Sequence, residues 1–179
     1  MLNPLPAVMV STRDNNGKNN IATVAWCGNA CTNPPILYIS LRPERLSYKN
    51  IIETNEFVVN LVNKELTFAC DYCGVISGKD HDKFKEMNLT PLDSKYVKAP
   101  TILEAPVSLE CIVKEIIPLG SHHMILADIK GVTVDKKYLD ENNRFNLEKA
   151  NLIAYNHGEY YTLGEYVGKF GYSIKKNKK

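Results

Sequence analysis

Between Ser40 and Lys49 the chain gathers Arg42, Arg45, Ser47 and Lys49 beside a predicted helix start. Free N–H groups at a helix N-terminus, a hydroxyl and guanidinium donors are what a phosphate monoester requires. The plainer reading of the same residues is a solvated loop with a serine cap, and the segment alone does not choose between them.

Other chemistry-bearing residues are less productive. Cys70-Asp71-Tyr72-Cys73 has the two-residue spacing of a redox or zinc pair, and Cys27 with Cys31 could supply two more thiolates. A thioredoxin-type pair opens a helix, however, whereas this one falls near a helix end, so the cysteines read as small core residues and no metal site is expected. His122 and His123 are adjacent, which on a strand sends them to opposite faces. Gly74 to Asp80 is one residue short of a P-loop and has Asp80 where Ser or Thr must meet magnesium; no Gly-x-Gly-x-x-Gly follows any predicted strand.

The elements that must position these residues are mostly strands. Ala7–Thr12 and Asn20–Trp26 flank Asp14-Asn15-Asn16-Gly17, a hairpin turn signal. Ile36–Leu41 reads as a central strand and Glu56–Val62 as another. Ser47 is expected to cap a helix over Tyr48–Glu53 that Asn55 ends, and Asn63 a helix from Lys64 to about Tyr72, with Gly74 just beyond. A short helix covers Asp82–Met87, and the stretch carrying Pro91, Pro100 and Pro106 reads as extended loop. Val107–Ile117 and His123–Ile129, joined by Pro118-Leu119-Gly120-Ser121, form an antiparallel hairpin, and Val132–Val134 is strand again. Strands without crossover helices exclude a doubly wound fold and favour a mainly β barrel with short helices outside.

With 179 residues, 44% hydrophobic and 23% charged, the chain suits one domain, residues 1–174, followed by the Lys-rich tail 175–179. The net charge of +2 comes from that tail, so no basic face for nucleic acid is expected. No apolar run reaches membrane-spanning length and the start does not read as a signal peptide, which implies a cytoplasmic protein away from the membrane. Five cysteines without an export signal then read as reduced thiols.

Taken in order, several segments resemble the flavin reductase-like family of FMN-binding split barrels, in its flavoredoxin branch. They are Asn20–Trp26, Asn33-Pro34-Pro35, Ser40-Leu41-Arg42-Pro43 through Ser47-Tyr48, Glu56–Asn60, Cys73-Gly74 with Ser77–Phe84, Gly120-Ser121-His122-His123, and Leu163-Gly164-Glu165 with Gly168–Gly171. The resemblance implies a six-stranded Greek-key barrel with FMN at a homodimer interface. It also implies roles: Thr23, Val24, Ala25 and Trp26 along the isoalloxazine; Cys31 and Thr32 near the ribityl chain; Ser40, Leu41, Arg42, Ser47 and Tyr48 toward ribityl and phosphate. Ser77, Gly78, Asp82 and Lys83 would close over the cofactor, and His122 or His123 would approach the flavin or nicotinamide side. Ala127 departs from the family, which often has Gly there.

The implied activity is electron transfer from NADH or NADPH through FMN to free flavin, another small-molecule substrate or a redox-protein acceptor. The alternative is a non-enzymatic carrier that keeps FMN tightly bound. Lys79, Lys83 and one of the two histidines are the candidate donors for a nicotinamide pyrophosphate.

Overall fold

The run Ala7-Val8-Met9-Val10 is buried on both faces. Val8 and Val10 join an apolar cluster with Val24, Leu37, Ile39, Phe57, Val59, Cys111 and Ile125. Ala7 and Met9 join another with Ile21, Ala69, Cys70, Cys73 and Phe84. Period-two alternation thus serves two cores at once, one inside a barrel and one beneath helices laid on its outer wall. The computed structural model describes residues 2–174; the tail at 175–179 lies outside them.

The strands are β1 Leu5–Pro6, β2 Val8–Arg13, β3 Asn19–Val24, β4 Cys27–Thr32, β5 Pro35–Leu41, β6 Glu56–Leu61, β7 Pro91–Leu92, β8 Thr101–Ile102, β9 Val107–Pro118, β10 His123–Val134, β11 Ile153–Asn156 and β12 Glu159–Thr162. The helices are α1 Leu46–Thr54, α2 Thr67–Val75, α3 Lys83–Glu86 and α4 Leu147–Ala150. The main sheet runs β3-β2-β6-β9-β10-β5-β4, and every neighbouring pair in it is antiparallel. A second sheet runs β1-β11-β12, and β7 pairs with β8.

The order of the main sheet dictates its closure. β3 and β4 stand at opposite edges, which six strand spacings would hold roughly 29 Å apart if the sheet were flat. Yet only Ala25 and Trp26 separate them in sequence, a reach of at most about 11 Å. The sheet must curl until its edges meet, and Ala25-Trp26 lies at the seam.

Helix α1 packs on β2 and β3 and contributes Ile51 to the barrel core. It is tied down by Asn50 Nδ2 donating to Thr12 Oγ1 at 3.1 Å and Asn20 Nδ2 donating to Ser47 Oγ at 2.8 Å. Asn60, fully buried, donates to Met9 O and Ser11 Oγ and accepts from Ile102 N and Ser108 Oγ. One carboxamide therefore joins β2, β6, β8 and β9. With its polar atoms satisfied, its burial is not penalised.

The fold is the mainly β split barrel expected from the sequence, with local corrections. Ser47 does not cap α1: the helix opens two residues earlier than expected, at Leu46, Arg45 holds the cap position without a side-chain bond, and the Ser47 hydroxyl accepts from Asn20 instead. Gly74 lies inside α2, which continues to Val75. The segment 132–134 is not a separate strand but the end of β10, whose register shifts at Leu126/Ala127 and Ile129/Gly131. The proline-rich loop contains the short β7 and β8 pair. Pairing of Cys27–Thr32 with β5 makes seven strands in the main sheet rather than six. Asn55 ends α1 in the left-handed region at φ 62°, as expected. Asn63 and Asp82 cap their helical turns by accepting from Leu66 N and Lys85 N. Among the described residues no helix is long and apolar enough to cross a membrane.

Candidate functional site

Where β3, the start of α1 and the end of α2 converge, a cavity of about 450 Å³ is lined by Asn20, Arg42, Arg45, Leu46, Ser47, Ser77, Gly78 and Lys79, among others. A second, of about 310 Å³, is lined by Val24, Ala25, Trp26, Ser40, His122, Tyr155 and Tyr160, among others. Thr23, Leu41, Arg42, Arg45 and Gly74 line both, so the two are lobes of one cleft. Each lobe is within the usual size of a ligand pocket.

The first lobe is cationic and rich in N–H donors. α1 opens at Leu46 with no side-chain cap, leaving first-turn N–H groups without intrahelical acceptors. Arg45 makes no ion pair among the described residues, whereas Arg42 Nη1 lies 3.3 Å from Glu44 Oε1. The Glu44 carboxyl is held below its ordinary range by its own backbone N–H and then by Arg42 and Arg45. Gly78 closes the lobe against Asn20; a Cβ there would fall on the Asn20 carboxamide.

The second lobe is aromatic and backbone-lined. The Val24 side chain turns into the barrel core, so Val24 offers the lobe its backbone. Ser40 N donates to Trp26 O at 2.8 Å and fixes the seam beside the lobe. The Trp26 and His122 rings lie 4.6 Å apart, and Tyr155 and Tyr160, from the small sheet, stand 5.6 Å from one another. Tyr160 Oη donates to Asp71 at 3.1 Å. Burial, followed by the charge effects of Cys70 and Asp71, pushes its phenol well above the ordinary range.

Of the residues singled out from sequence, Thr23, Val24, Ala25, Trp26, Ser40, Leu41, Arg42, Ser47, Ser77, Gly78, Lys83 and His122 come together along this cleft. Cys31 and Thr32 sit exposed toward the end of β4 and line neither lobe. Tyr48 is turned to His123, with 2.6 Å between Oη and Nδ1, so neither lines the cleft. Asp82 caps α3. Lys83 is buried, and its Nζ donates to Ile21 O and Cys73 O, each at 2.8 Å, which removes it from the exposed donors expected at the rim. Tyr155 and Tyr160 were not anticipated. The turn signal Asn156-His157-Gly158 between tyrosine-containing runs could have found their hairpin, since His157 and Gly158 both adopt positive φ.

All five cysteines are free, and Cys70 and Cys73 are buried. Burial pushes the Cys27, Cys70 and Cys111 thiols up to about 12 and Cys73 to about 11. Such thiols are poor nucleophiles at neutral pH.

A closed antiparallel barrel with a cationic, helix-headed lobe running into an aromatic one is a flavin-binding fold of the split-barrel type. The model of the flavin reductase like domain matches residues 1–164. An uncharacterized protein of Aquifex aeolicus is 35% identical over 163 residues, covering 88% of this chain and 83% of its own. The solved flavoredoxin of Desulfovibrio vulgaris (Miyazaki F) superposes with a TM-score of 0.92 at 29% identity, covering 98% of this chain and 95% of that one. Flavoredoxin from Methanosarcina acetivorans, at 24% identity, shares the fold with a TM-score of 0.88 over 98% of this chain and 95% of its own. The chain belongs to the flavin reductase-like family.

Proposed function

We propose that the chain binds FMN along this cleft and carries electrons from NADH or NADPH to free flavin, another small molecule or a redox-protein acceptor, as a cytoplasmic homodimer. The observation that carries the reading is the junction of the two lobes. The uncapped start of α1 faces one lobe, Arg42 and Arg45 stand where the two lobes join, and the aromatic lobe continues across Thr23, Leu41 and Gly74. A planar ring with a phosphate-bearing tail fits that succession: anion donors at one end, backbone polar groups and aromatic walls at the other.

Bound FMN supplies hydride acceptance and stepwise electron release. The chain's own residues do the rest. Arg42, Arg45 and the Leu46 and Ser47 amides hold the phosphate, while the Thr23–Trp26 backbone reads the polar edge of the ring. Trp26 and His122 leave an open side on which a nicotinamide can stack, with Lys79 at the other lobe as a donor for its pyrophosphate. Without a dinucleotide-binding motif, that stacking should be weak.

The homodimer is supported by the segment after β12, where Tyr166, Val167 and Phe170 are almost fully exposed. Apolar surface of that kind calls for a cover. A second reading, a carrier that retains FMN and exchanges electrons only with proteins, is favoured by the likeness to flavoredoxin.

The test is anaerobic stopped-flow on the FMN-loaded protein. Bleaching of the oxidised flavin band by either nicotinamide supports the reductase. Bleaching by dithionite alone transfers support to the carrier, and a protein that takes up no flavin sinks both.

A further inference from the structure

The barrel carries a second recess that the flavin reading leaves without a task. A cavity of about 390 Å³ lies among residues of β2, β4, β5, β6, β9 and β10. Its walls include Val8, Leu37, Ile39, Val59 and Val107, all buried. Phe145 lines it from outside the main sheet, held by a bridge to Leu139. None of the described residues that line it carries a charge. Its polar groups are the Cys27 thiol, Asn29 and the Tyr38 phenol, and neither Asn29 nor Tyr38 makes a side-chain hydrogen bond among the described residues. Gly28 leaves room for that phenol: a Cβ there would stand 3.0 Å from its ring and 3.2 Å from its hydroxyl.

The recess is separate from the flavin cleft, and no described residue lines both. Neighbours in the chain divide between them: Ala7, Trp26 and Ser40 line the aromatic lobe, whereas Val8, Cys27 and Ile39 line the recess. Successive strand residues point to opposite faces, so the barrel wall stands between the two.

We propose that this recess is a binding site for a small uncharged molecule with an apolar body and one hydrogen-bonding group. The site does not depend on the FMN reading and goes beyond it. Its volume is that of a small-ligand pocket, and the mouth of a β-barrel is a place where such pockets form. An apolar body gains by entering a preformed apolar recess, whereas a charged one would shed its hydration with nothing to pair with. Asn29 and the Tyr38 hydroxyl offer both donors and acceptors to a single polar group. A second copy of the chain is the poorer occupant: the walls are already buried and leave little surface, while a stable dimer needs about 800 Å² from each partner. Because six strands contribute the walls, the occupied recess belongs to the closed barrel, and its ligand stabilises that barrel by mass action.

The experiment titrates the full-length protein, with and without FMN, with two probes. Indole is a neutral ring with one N–H; indole-3-acetate is the same ring carrying a carboxylate. Calorimetry should find one indole per chain and the carboxylate bound about ten-fold more weakly or less. In methyl NMR, indole should contact Val8, Leu37, Val59, Leu109 and Val132 but not Val62 or Leu66, which belong to the other core cluster. Val132 is 57% exposed, so Val132→Trp can fill the recess without crowding the core. It should cost indole about ten-fold in affinity while FMN affinity stays within about two-fold. The mass by light scattering should be the same with and without indole. Absence of saturable indole binding, methyl contacts outside the recess, equal affinity for the two probes, or one-for-one displacement of indole by FMN each overturns the proposal. Dissociation of an oligomer by indole would give the recess to a second copy and overturn it too. The methyl contacts decide the matter even if the variant does not fold. A protein that takes up indole here but no flavin keeps this site and loses the FMN reading.

Discussion

Trp26 and His122 stand ring against ring, centroids 4.6 Å apart and planes tilted by 39°, while the next residue, His123, turns to Tyr48. Two adjacent histidines are thereby given different work. His122 flanks the aromatic lobe, and His123 ties the start of β10 to α1 across 75 positions of sequence.

His122→Ala is accordingly expected to slow reduction by nicotinamide several-fold while leaving FMN affinity within about three-fold, as befits a group on the open side of the ring. His123→Ala should instead cost about 1 kcal/mol of stability, the scale of one hydrogen bond. Stopped-flow rates and urea unfolding on the same pair of variants separate these effects; a reversed pattern would exchange the two roles.

Removal of the cations at the helix-headed lobe should discriminate between flavins. Arg45→Ala is expected to weaken FMN by about 1.5–3 kcal/mol, the scale of a charge-assisted bond, and to leave riboflavin unchanged. Arg42→Ala should act the same way but less strongly, because Glu44 already engages Arg42. Fluorescence titration with both flavins is the check. Equal losses for the two would mean that this lobe does not hold a phosphate.

Gly78→Ala places a methyl group on the Asn20 carboxamide, which is itself bonded to Ser47. A cost of about 1–3 kcal/mol is expected from the overpacking, with FMN affinity falling alongside. A thermal melt that matches the parent protein would show that the 74–82 segment can move off Asn20 freely.

The cysteines set an alkaline limit. Raised folded values mean that the buried thiols keep their protons when an unfolded thiol, near 9, has lost its own. Their stabilising contribution is therefore complete below pH 9 and is lost as pH climbs toward 11–12. Urea midpoints should fall between pH 9 and pH 10.5. At neutral pH a thiol reagent should modify exposed Cys31 quickly and buried Cys70, Cys73 and Cys111 only on unfolding. Rapid labelling of Cys70, Cys73 or Cys111 in the folded protein would contradict that burial.

Truncation after Thr162 removes Leu163, Tyr166, Val167, Phe170, Tyr172 and Ile174, all exposed within a single chain. If these residues cover a second copy, light scattering at micromolar concentration should find the full chain dimeric and the shortened one monomeric.

Much of this arrangement was legible wherever the signal was local. Asn63 caps its turn, Asn55 ends α1 at φ 62°, and Gly17 turns the first hairpin at φ 84°, because each needs only a side chain or a φ within a few residues. What escaped notice depends on distant partners. Ser47 reads as a cap until Asn20, 27 residues earlier, claims its hydroxyl. Lys83 reads as an exposed cation until two carbonyls from other elements take its ammonium. Strand β4 is mostly exposed and has no apolar alternation; its pairing with β5 identifies it. The segments that line the cleft are legible one by one, but the union of its two lobes through Thr23 and Leu41 depends on the curl of the barrel.

That curl has a thermodynamic corollary. Ala25 and Trp26 are at once the peptide that lets the barrel's edges meet and part of the wall of the aromatic lobe, so an opened barrel offers flavin no complete site. Ligand occupancy and barrel closure are then one equilibrium. Flavin at a hundred times its Kd would add about 2.7 kcal/mol to the apparent stability by mass action alone. The fraction of this chain that survives heat or proteolysis would accordingly track the free flavin around it, making the protein's persistence a readout of flavin supply.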